Sequence, residues 1–274
     1  FKADYEVEQT QIIKAFKAWL TNKSTDYELE TRDALQDDLN KWDSYLRIDV
    51  GRYLGDIELI RELKRQSVEG LVDLFEDWRH LHSSFEEDVA AEHQVAGRSY
   101  MDSYLEFAIR VAGGDHMAMF DAPISSLVVQ SMLHVISEDD TSELKLRKCA
   151  EFLSSNHFKA TPSQWLNANM LATLKHLVKN GFYTNRDQAL RKLNGFFFDV
   201  KHISTYAPYV DAFVMDQPMA DLVMRPTVNL ERTFGTKVFS LRNWDEFLDW
   251  LNRLEGEMSA EHREGLRLAY PTSG

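Results

Sequence analysis

The sequence predicts a helix-rich α/β fold, with a large helical region followed by a small parallel sheet that is flanked by helices. Apolar residues recur at intervals of three and four through the first half of the chain, as in residues 5–20. Beyond Asn185, short apolar runs alternate with further helical patterns. Six prolines and twelve glycines among 274 residues permit long helices and predict no low-complexity linker.

Residues 1–142 are expected to be mostly helical. The pattern of residues 5–20 is that of an amphipathic helix with a polar outer face. Ser84 followed by Glu87 is a capping signal for a later helix, which we expect to end before Gly113. The acidic segment 137–143 predicts a solvated loop or helix start, and we place the boundary between two regions there.

Residues 143–274 are expected to contain the sheet. The runs "DAFVMD" and "TKVFSL" are too short for helices and rich in Val and Phe, so each predicts a buried strand. A helical pattern follows each run, "PMADLV" after the first and "NWDEFLDWLNRLE" after the second. Strands that alternate with helices at this spacing predict parallel pairing.

Composition and charge narrow the function classes. Only 31 basic residues face 44 acidic ones, for a net charge of −13, which disfavours a passive nucleic-acid binder because phosphates must be neutralised. A single cysteine, Cys149, excludes an internal disulfide and a cysteine-based zinc site, and we expect a buried thiol. The apolar runs are far shorter than the ~20 residues that cross a bilayer, and no leader is recognised. We therefore expect a cytoplasmic protein without membrane contact.

Three aspartates lie beside short apolar runs in residues 195–222. Asp216 follows a predicted strand, and ligand sites of parallel sheets form at the carboxyl ends of their strands. Asp211 enters the same strand at its other end, roughly 16 Å away at ~3.3 Å per residue if the strand is straight. Asp199 begins a predicted helix. Asp199 and Asp216 are therefore the preferred ligand pair, with Asp211 as an auxiliary acid.

Carboxylates in this arrangement favour Mg²⁺ or Mn²⁺, because hard cations take oxygen ligands and keep several waters. Such an ion activates water and stabilises charge on a phosphodiester. His202, one helical turn after Asp199, could orient a carboxylate or touch phosphate. The alternative is that Asp199 merely caps a helix, that Asp216 begins a turn, and that Asp211 is a turn acid after Pro208.

Residues 199–255 resemble the C-terminal part of a PIN-like domain, a metal-dependent nuclease fold. The stretch "DVKHISTYAPYVDAFVMD" carries the resemblance, with Asp199 at a helix start, Asp216 after the next strand and Asp211 as an additional acid. The resemblance implies a nuclease, in particular a ribonuclease, that holds Mg²⁺ or Mn²⁺ through Asp199, Asp211 and Asp216. RNA or single-stranded nucleic acid would be the substrate, and a neutralising protein a possible partner.

One part of the PIN-like pattern is missing. Such domains begin with an apolar strand that ends in an essential aspartate, and residues 1–20 contain no such strand. Either the strand lies upstream of Phe1, or Asp49 replaces its acid, or the site is incomplete. Glu92 is a reserve acid from the helical region. The competing function is a non-enzymatic protein-interaction module built on that region, or an inactive PIN-like relative.

Three histidines, His80, His82 and His93, lie in a segment that is also rich in glutamate. His80 and His82 are two positions apart and so face different sides of a helix, and no HExxH pattern occurs. We expect all three histidines to lie at solvated helix ends rather than to bind a metal.

Overall fold

The computed structural model describes residues 4–25, 27, 54–119 and 124–269. Helices dominate these ranges, which confirms the expectation of a helix-rich chain. Their bounds are α1 Asp4–Leu20, α2 Leu54–Asp73, α3 Phe75–Arg79, α4 Phe85–Ala112, α5 Ile124–Val135, α6 Ser142–Leu153, α7 Asn156–Lys159, α8 Pro162–Lys179, α9 Arg186–Lys192, α10 Phe196–Tyr206, α11 Gln217–Val223, α12 Leu230–Phe234, α13 Trp244–Glu257 and α14 Ala260–Ala269. The predicted capping box is present, because Ser84 accepts from the Glu87 N–H and the Glu87 carboxylate accepts from the Ser84 N–H.

The predicted parallel sheet is also present. Strand β1, Ala212–Val214, pairs in parallel with β2, Lys237–Phe239, and the central pair of the register is Phe213 with Val238. Helices α11 and α12 connect the two strands, as the alternation of strand and helix patterns predicts. Helix α13 follows β2 and packs its Phe247 and Trp250 rings on Phe239. The sheet is small, so the surrounding helices supply most of the packing.

Two hydrophobic clusters form the core. The first gathers buried residues of α1, α4, α5, α6 and α7, and Phe16 packs edge to face on Phe152 with ring centroids 5.1 Å apart. The second gathers residues of α2, α3 and α8 through α12, with Phe75 and Leu174 among them. Helix α8 is buried along most of its length and packs on both α4 and α10. It therefore ties the helical part to the part that carries the sheet.

Both clusters draw on residues from either side of the segment 137–143, where the sequence placed a regional boundary. The first cluster contains both Phe16 and Cys149, and the second contains both Leu71 and Leu174. The described helices on both sides of that segment therefore share the core, and the boundary itself stays a prediction. The helices that precede it contribute to the core around the sheet.

Cys149 is fully buried, as expected, and its burial raises the pKa of the thiol to about 12. The thiolate is therefore scarce at neutral pH, and the residue acts as a small apolar side chain. In the parts of the chain that the structure describes, no helix combines the length and apolar character needed to traverse a bilayer.

Candidate active site

Asp216 lies immediately after β1 and forms the N-cap of α11. Its Oδ1 accepts the backbone N–H of Met219 at 2.9 Å. A carboxylate that is followed by a proline in the first turn is a common helix start, because the acid satisfies an orphan N–H and proline needs none. Asp216 therefore has a local structural role, as a helix cap rather than as the start of a turn. It commits Oδ1 to the fold, and the Asp216 side chain as a whole is exposed.

Asp199 lies in the first turn of α10, whose N-cap is Gly195. Gly195 has φ 87°, a left-handed conformation that glycine adopts without a steric penalty. A Cβ built at this glycine would lie 3.7 Å from Asp199 Oδ2 and 4.0 Å from Lys64 Nζ. The Asp199 carboxylate and the Lys64 ammonium therefore both lie close to Gly195.

Asp199 and Asp216 line one small pocket, together with Lys192, Asn194 and Pro218 among other residues. Its volume is about 10 Å³. That is close to the minimum space that one water molecule occupies, so the pocket suits a single ion or water and excludes an organic ligand. Two acids from separate elements, α10 and the start of α11, are thus brought together, as the sequence predicts for the preferred pair.

The pKa of Asp199 is raised, first by partial burial of its carboxyl group and second by the negative charge of Asp216. The charges of Lys64 and His202 act in the opposite direction and are the smaller causes. The two carboxylates therefore lie close enough to repel each other. A cation in the pocket would relieve that repulsion.

The donor set fits a hard divalent ion of low protein coordination. Two acids line the pocket, and the described residues contain no group of three or more His, Cys, Asp or Glu side chains able to hold a metal. Mg²⁺ is commonly bound through one or two carboxylates, while waters and substrate phosphates fill the other positions. Asp199 and Asp216 are the residues that would hold it.

Asp211 is exposed and immediately precedes β1, so it lies at the other end of the strand from Asp216. Its backbone carbonyl accepts the Lys237 N–H at 2.9 Å, which extends the pairing of the two strands. Its side chain is not part of the pocket that Asp199 and Asp216 share. The role of Asp211 as an auxiliary acid stays a prediction.

His202 is exposed and lies near a carboxylate that the sequence did not indicate. Its Nδ1 is 3.5 Å from Asp4 Oδ1 of α1, and its ring packs against Tyr206 with centroids 4.8 Å apart. Its influence on the pKa of Asp199 is the weakest of the four causes. His202 is therefore a peripheral group at this site.

The other candidate acids lie elsewhere. Asp49 falls outside the described residues. Glu92 lies on α4 with Oε1 3.4 Å from Lys175 Nζ, and the same ammonium is 3.6 Å from Asp88. Glu92 is thus neutralised at the packing surface between α4 and α8.

His80 and His82 are exposed, as expected, but His93 is not. It is only 4% exposed on α4, one turn before Gly97, where the helix closely approaches Leu153 of α6. The expectation of a solvated helix end was wrong for His93 because this face of α4 is covered by another helix.

Sequence reasoning missed two lysines of the pocket region. Lys64 of α2 lies near Asp199, and its Nζ is 4.8 Å from the centroid of the exposed Phe198 ring. Lys192, at the end of α9, lines the pocket itself. Nothing in the sequence around either lysine marks it, because both approach the acids only through tertiary packing.

Comparison with protein-family models, with curated proteins and with solved structures gave no match for this chain. The case for a function therefore depends on the geometry and chemistry of the described residues.

Proposed function

We propose that the protein is a metal-dependent nuclease that hydrolyses phosphodiester bonds of RNA or single-stranded nucleic acid at the pocket of Asp199 and Asp216. The single observation that supports this most is that two acids from different elements, Asp199 and Asp216, line one pocket of about the size of an ion. The raised pKa of Asp199 adds to it, because the charge of Asp216 contributes to that shift.

Each residue has a role set by its position. Asp199 and Asp216 would hold Mg²⁺ or Mn²⁺, and the ion would supply an activated water and neutralise charge on the phosphodiester. The Oδ1 atom of Asp216 caps α11, which fixes the orientation of its carboxylate. Asp211 remains an auxiliary acid. Lys64 and Lys192 attract and position the phosphate.

The lysines address a difficulty that the whole chain poses. A net charge of −13 repels a polyanion, so the substrate needs a local positive region to approach the acids. Lys64 lies near Asp199, Lys192 lines the pocket of Asp199 and Asp216, and a bound divalent ion would add two further positive charges. The resemblance of residues 199–255 to PIN-like domains favours RNA as the substrate.

The test is Mn²⁺-dependent cleavage of a mixed pool of RNA and single-stranded DNA by the protein and by Asp216→Asn. Asparagine keeps an acceptor oxygen for the N-cap and removes the charge, so the fold should be retained. Asp221→Asn is the matched control, because Asp221 is an exposed acid on the same helix, hydrogen-bonded to Gln217 at 2.6 Å.

We expect cleavage by the parent protein and by Asp221→Asn, and a loss of at least about 100-fold in Asp216→Asn. Asp199→Asn should behave like Asp216→Asn. Equal cleavage by the parent and Asp216→Asn would overturn the assignment, as would the absence of cleavage by either in the presence of Mn²⁺.

The competing function is a non-enzymatic interaction protein or an inactive PIN-like relative. It is favoured by exposed apolar side chains along α4, where Val95 is 62% and Ile109 is 71% exposed. It is also favoured by the presence of two converging acids, rather than three, in the described residues. This alternative would be supported if the parent protein cleaved neither RNA nor single-stranded DNA and Asp216→Asn unfolded at the same urea concentration as the parent.

A further inference from the structure

Helix α13 is strongly amphipathic, yet none of its 14 residues is buried. Its apolar side chains recur at intervals of three and four, a pattern that normally places one face of a helix against a core. Phe247 and Trp250 cover part of that face by packing on Phe239 of β2. In the described part of the chain the sheet has two strands only, so no third strand lies beneath the rest of α13. Its other apolar side chains therefore face solvent.

Four exposed apolar side chains follow one another along this face and are called the α13 row. They lie three, four and three positions apart, the spacing at which side chains align along one side of a helix. Their exposed fractions are 89% for Leu241, 39% for Trp244, 44% for Leu248 and 40% for Leu251. A row with this spacing is the line along which one helix packs on another. Its shape therefore favours a second helix as the partner.

Two carboxylates border the α13 row. Asp245 lies one helical turn before Leu248, and Glu255 lies one turn after Leu251. Both acids are exposed, and neither forms an ion pair with a residue that the structure describes. A partner that brings positive charge to these two positions would gain both attraction and a preferred orientation.

The cations nearest to the α13 row do not neutralise these acids. Arg253 is two positions from Leu251, which directs it to the opposite side of α13, where it lines a separate cleft with Lys237, Glu246 and Asp249. That cleft has two acids and two cations, so its formal charge is zero. Arg242 precedes α13, and its guanidinium is 3.4 Å from the carboxylate of Asp221. The charge that borders the row is therefore negative.

We propose that the α13 row is the docking site for an amphipathic helix of another protein. The apolar side chains of that helix pack on the row, with Trp244 and Leu248 near the centre, and its lysine or arginine side chains pair with Asp245 and Glu255. A second copy of this chain fits poorly, because a two-fold contact would place the same acids opposite each other. A membrane with anionic lipids would be repelled by the same acids.

The proposal does not depend on nuclease activity, because no member of the α13 row lines the pocket of Asp199 and Asp216. A failure of one assignment therefore leaves the other standing. Binding of a helix at the row and Mn²⁺-dependent cleavage are measured separately.

The first experiment follows the fluorescence anisotropy of a labelled synthetic peptide as the full chain is added. The peptide has three heptads with leucine at the first and fourth positions, lysine at the fifth and seventh, and glutamine elsewhere. One comparison peptide replaces every lysine with glutamate, and another replaces every leucine with glutamine.

We expect the lysine peptide to bind with a dissociation constant below about 0.1 mM, and each comparison peptide to bind at least about tenfold more weakly. The absence of saturable binding by the lysine peptide would overturn the proposal. Equal binding by the peptide without leucines would overturn it as well, since charge attraction alone would then explain the affinity.

The second experiment locates the binding site on α13. Leu248→Gln should weaken binding of the lysine peptide by about tenfold or more, because glutamine suits a helix but cannot supply the apolar contact. Leu59→Gln is the matched control, since Leu59 is a 57% exposed leucine of α2. Thermal unfolding checks that both variants are folded. Unchanged affinity in Leu248→Gln, or an equal loss in Leu59→Gln, contradicts the assignment.

The third experiment reverses one charge beside the row. Glu255→Lys should weaken the lysine peptide and strengthen the glutamate peptide, each by about fivefold or more, because the sign of the attraction is exchanged. Glu58→Lys makes the same change in net charge on α2, at an exposed acid, and should leave both affinities nearly unchanged. Equal responses of the two variants would show that only the overall charge matters and would refute the site.

The other possible occupants are tested with the parent protein and Leu248→Gln. We expect the parent to sediment as a monomer and not to float with vesicles of phosphatidylcholine and phosphatidylserine. A dimer that Leu248→Gln dissociates would assign the α13 row to a second copy of the chain. Vesicle binding that Leu248→Gln abolishes would assign it to a membrane. Either result would overturn the proposal.

Discussion

Glu8 and Asp199 are both at least partly buried acids, but only Glu8 receives partners for its charge from the fold. Glu8 of α1 is almost fully buried, and its Oε1 accepts the Tyr100 hydroxyl at 2.9 Å and the Gln164 amide at 2.8 Å. Its second oxygen pairs with the Lys201 ammonium. Both oxygens of this carboxylate therefore have protein donors from three other helices.

Asp199 lacks such compensation. The charge with the strongest influence on its pKa is another carboxylate, that of Asp216, and the Lys64 ammonium offsets it only in part. The difference separates a structural acid from a candidate ligand-binding acid. A carboxylate whose oxygens all have protein donors has no capacity left for a metal ion, whereas a carboxylate whose pKa is raised by a neighbouring acid gains from one.

The largest loss of stability should come from removing the Glu8 carboxylate, because both of its oxygens have protein donors. Glu8→Ala leaves Tyr100, Gln164 and Lys201 without their acceptor, and we expect the free energy of unfolding to fall by about 2–4 kcal/mol. Lys201 is partly exposed and can turn to solvent, which keeps the loss from being larger. Urea denaturation measures it.

The control for this prediction is Glu58→Ala, which removes an exposed acid paired with Arg61 on one face of α2. Its loss should stay below about 0.5 kcal/mol, as for other surface ion pairs. A similar loss in both variants would show that Glu8 is not a structural acid.

A divalent ion should bind at the pocket of Asp199 and Asp216 and not at Glu8. At a Mn²⁺ concentration tenfold above its dissociation constant, the protein should be stabilised by about 1.4 kcal/mol, because the ion binds only the folded state. Asp199→Asn should lose most of this gain, and Glu58→Ala should keep it. Thermal unfolding with and without Mn²⁺ measures the difference. Equal stabilisation of Asp199→Asn would place the ion elsewhere.

Asp216 combines a structural and a proposed functional role, and substitutions can separate them. Asp216→Ala removes the N-cap of α11 and should be less stable than Asp216→Asn by about 1 kcal/mol, the usual value of a side-chain cap. Both variants should lose Mn²⁺ stabilisation to the same extent. Equal stability of the two in urea would mean that the cap contributes nothing.

The smallest expected change is in how the free energy of unfolding depends on pH, through the ionisation of Asp199. The pKa of Asp199 is raised in the folded state, so the folded protein binds this proton more tightly than the unfolded chain does. The free energy of unfolding therefore falls as pH rises from the unfolded pKa, near 3.8, through the folded pKa. Asp199→Asn removes this loss. At pH 7 it should be more stable than the parent protein, by less than about 1 kcal/mol because the half-buried group is screened by solvent.

A series of urea denaturations from pH 3 upward gives the sign directly. The advantage of Asp199→Asn should be absent at the acid end and develop as Asp199 ionises. A lower stability of Asp199→Asn at pH 7 would mean that the carboxylate is favourably paired in the folded state, which would weaken the comparison with Glu8.

The sequence by itself determined the local structure and part of the candidate site. The capping box of Ser84 and Glu87, the two short strands and their parallel pairing follow from patterns within a few residues. The convergence of Asp199 and Asp216 was also predictable, because a strand end and a helix start in parallel sheets meet at one edge.

Tertiary structure alone decided which polar groups are compensated. Glu8 lies on a helix that the sequence predicts to have a polar outer face, and His93 in a segment rich in glutamate, yet both are buried. Lys64 approaches Asp199 from a helix far away in the sequence. Periodicity shows which face of a helix is apolar, but the partner of a polar side chain depends on how distant helices pack. That packing gives both oxygens of the Glu8 carboxylate a protein donor, and it places the Asp199 carboxylate near another acid.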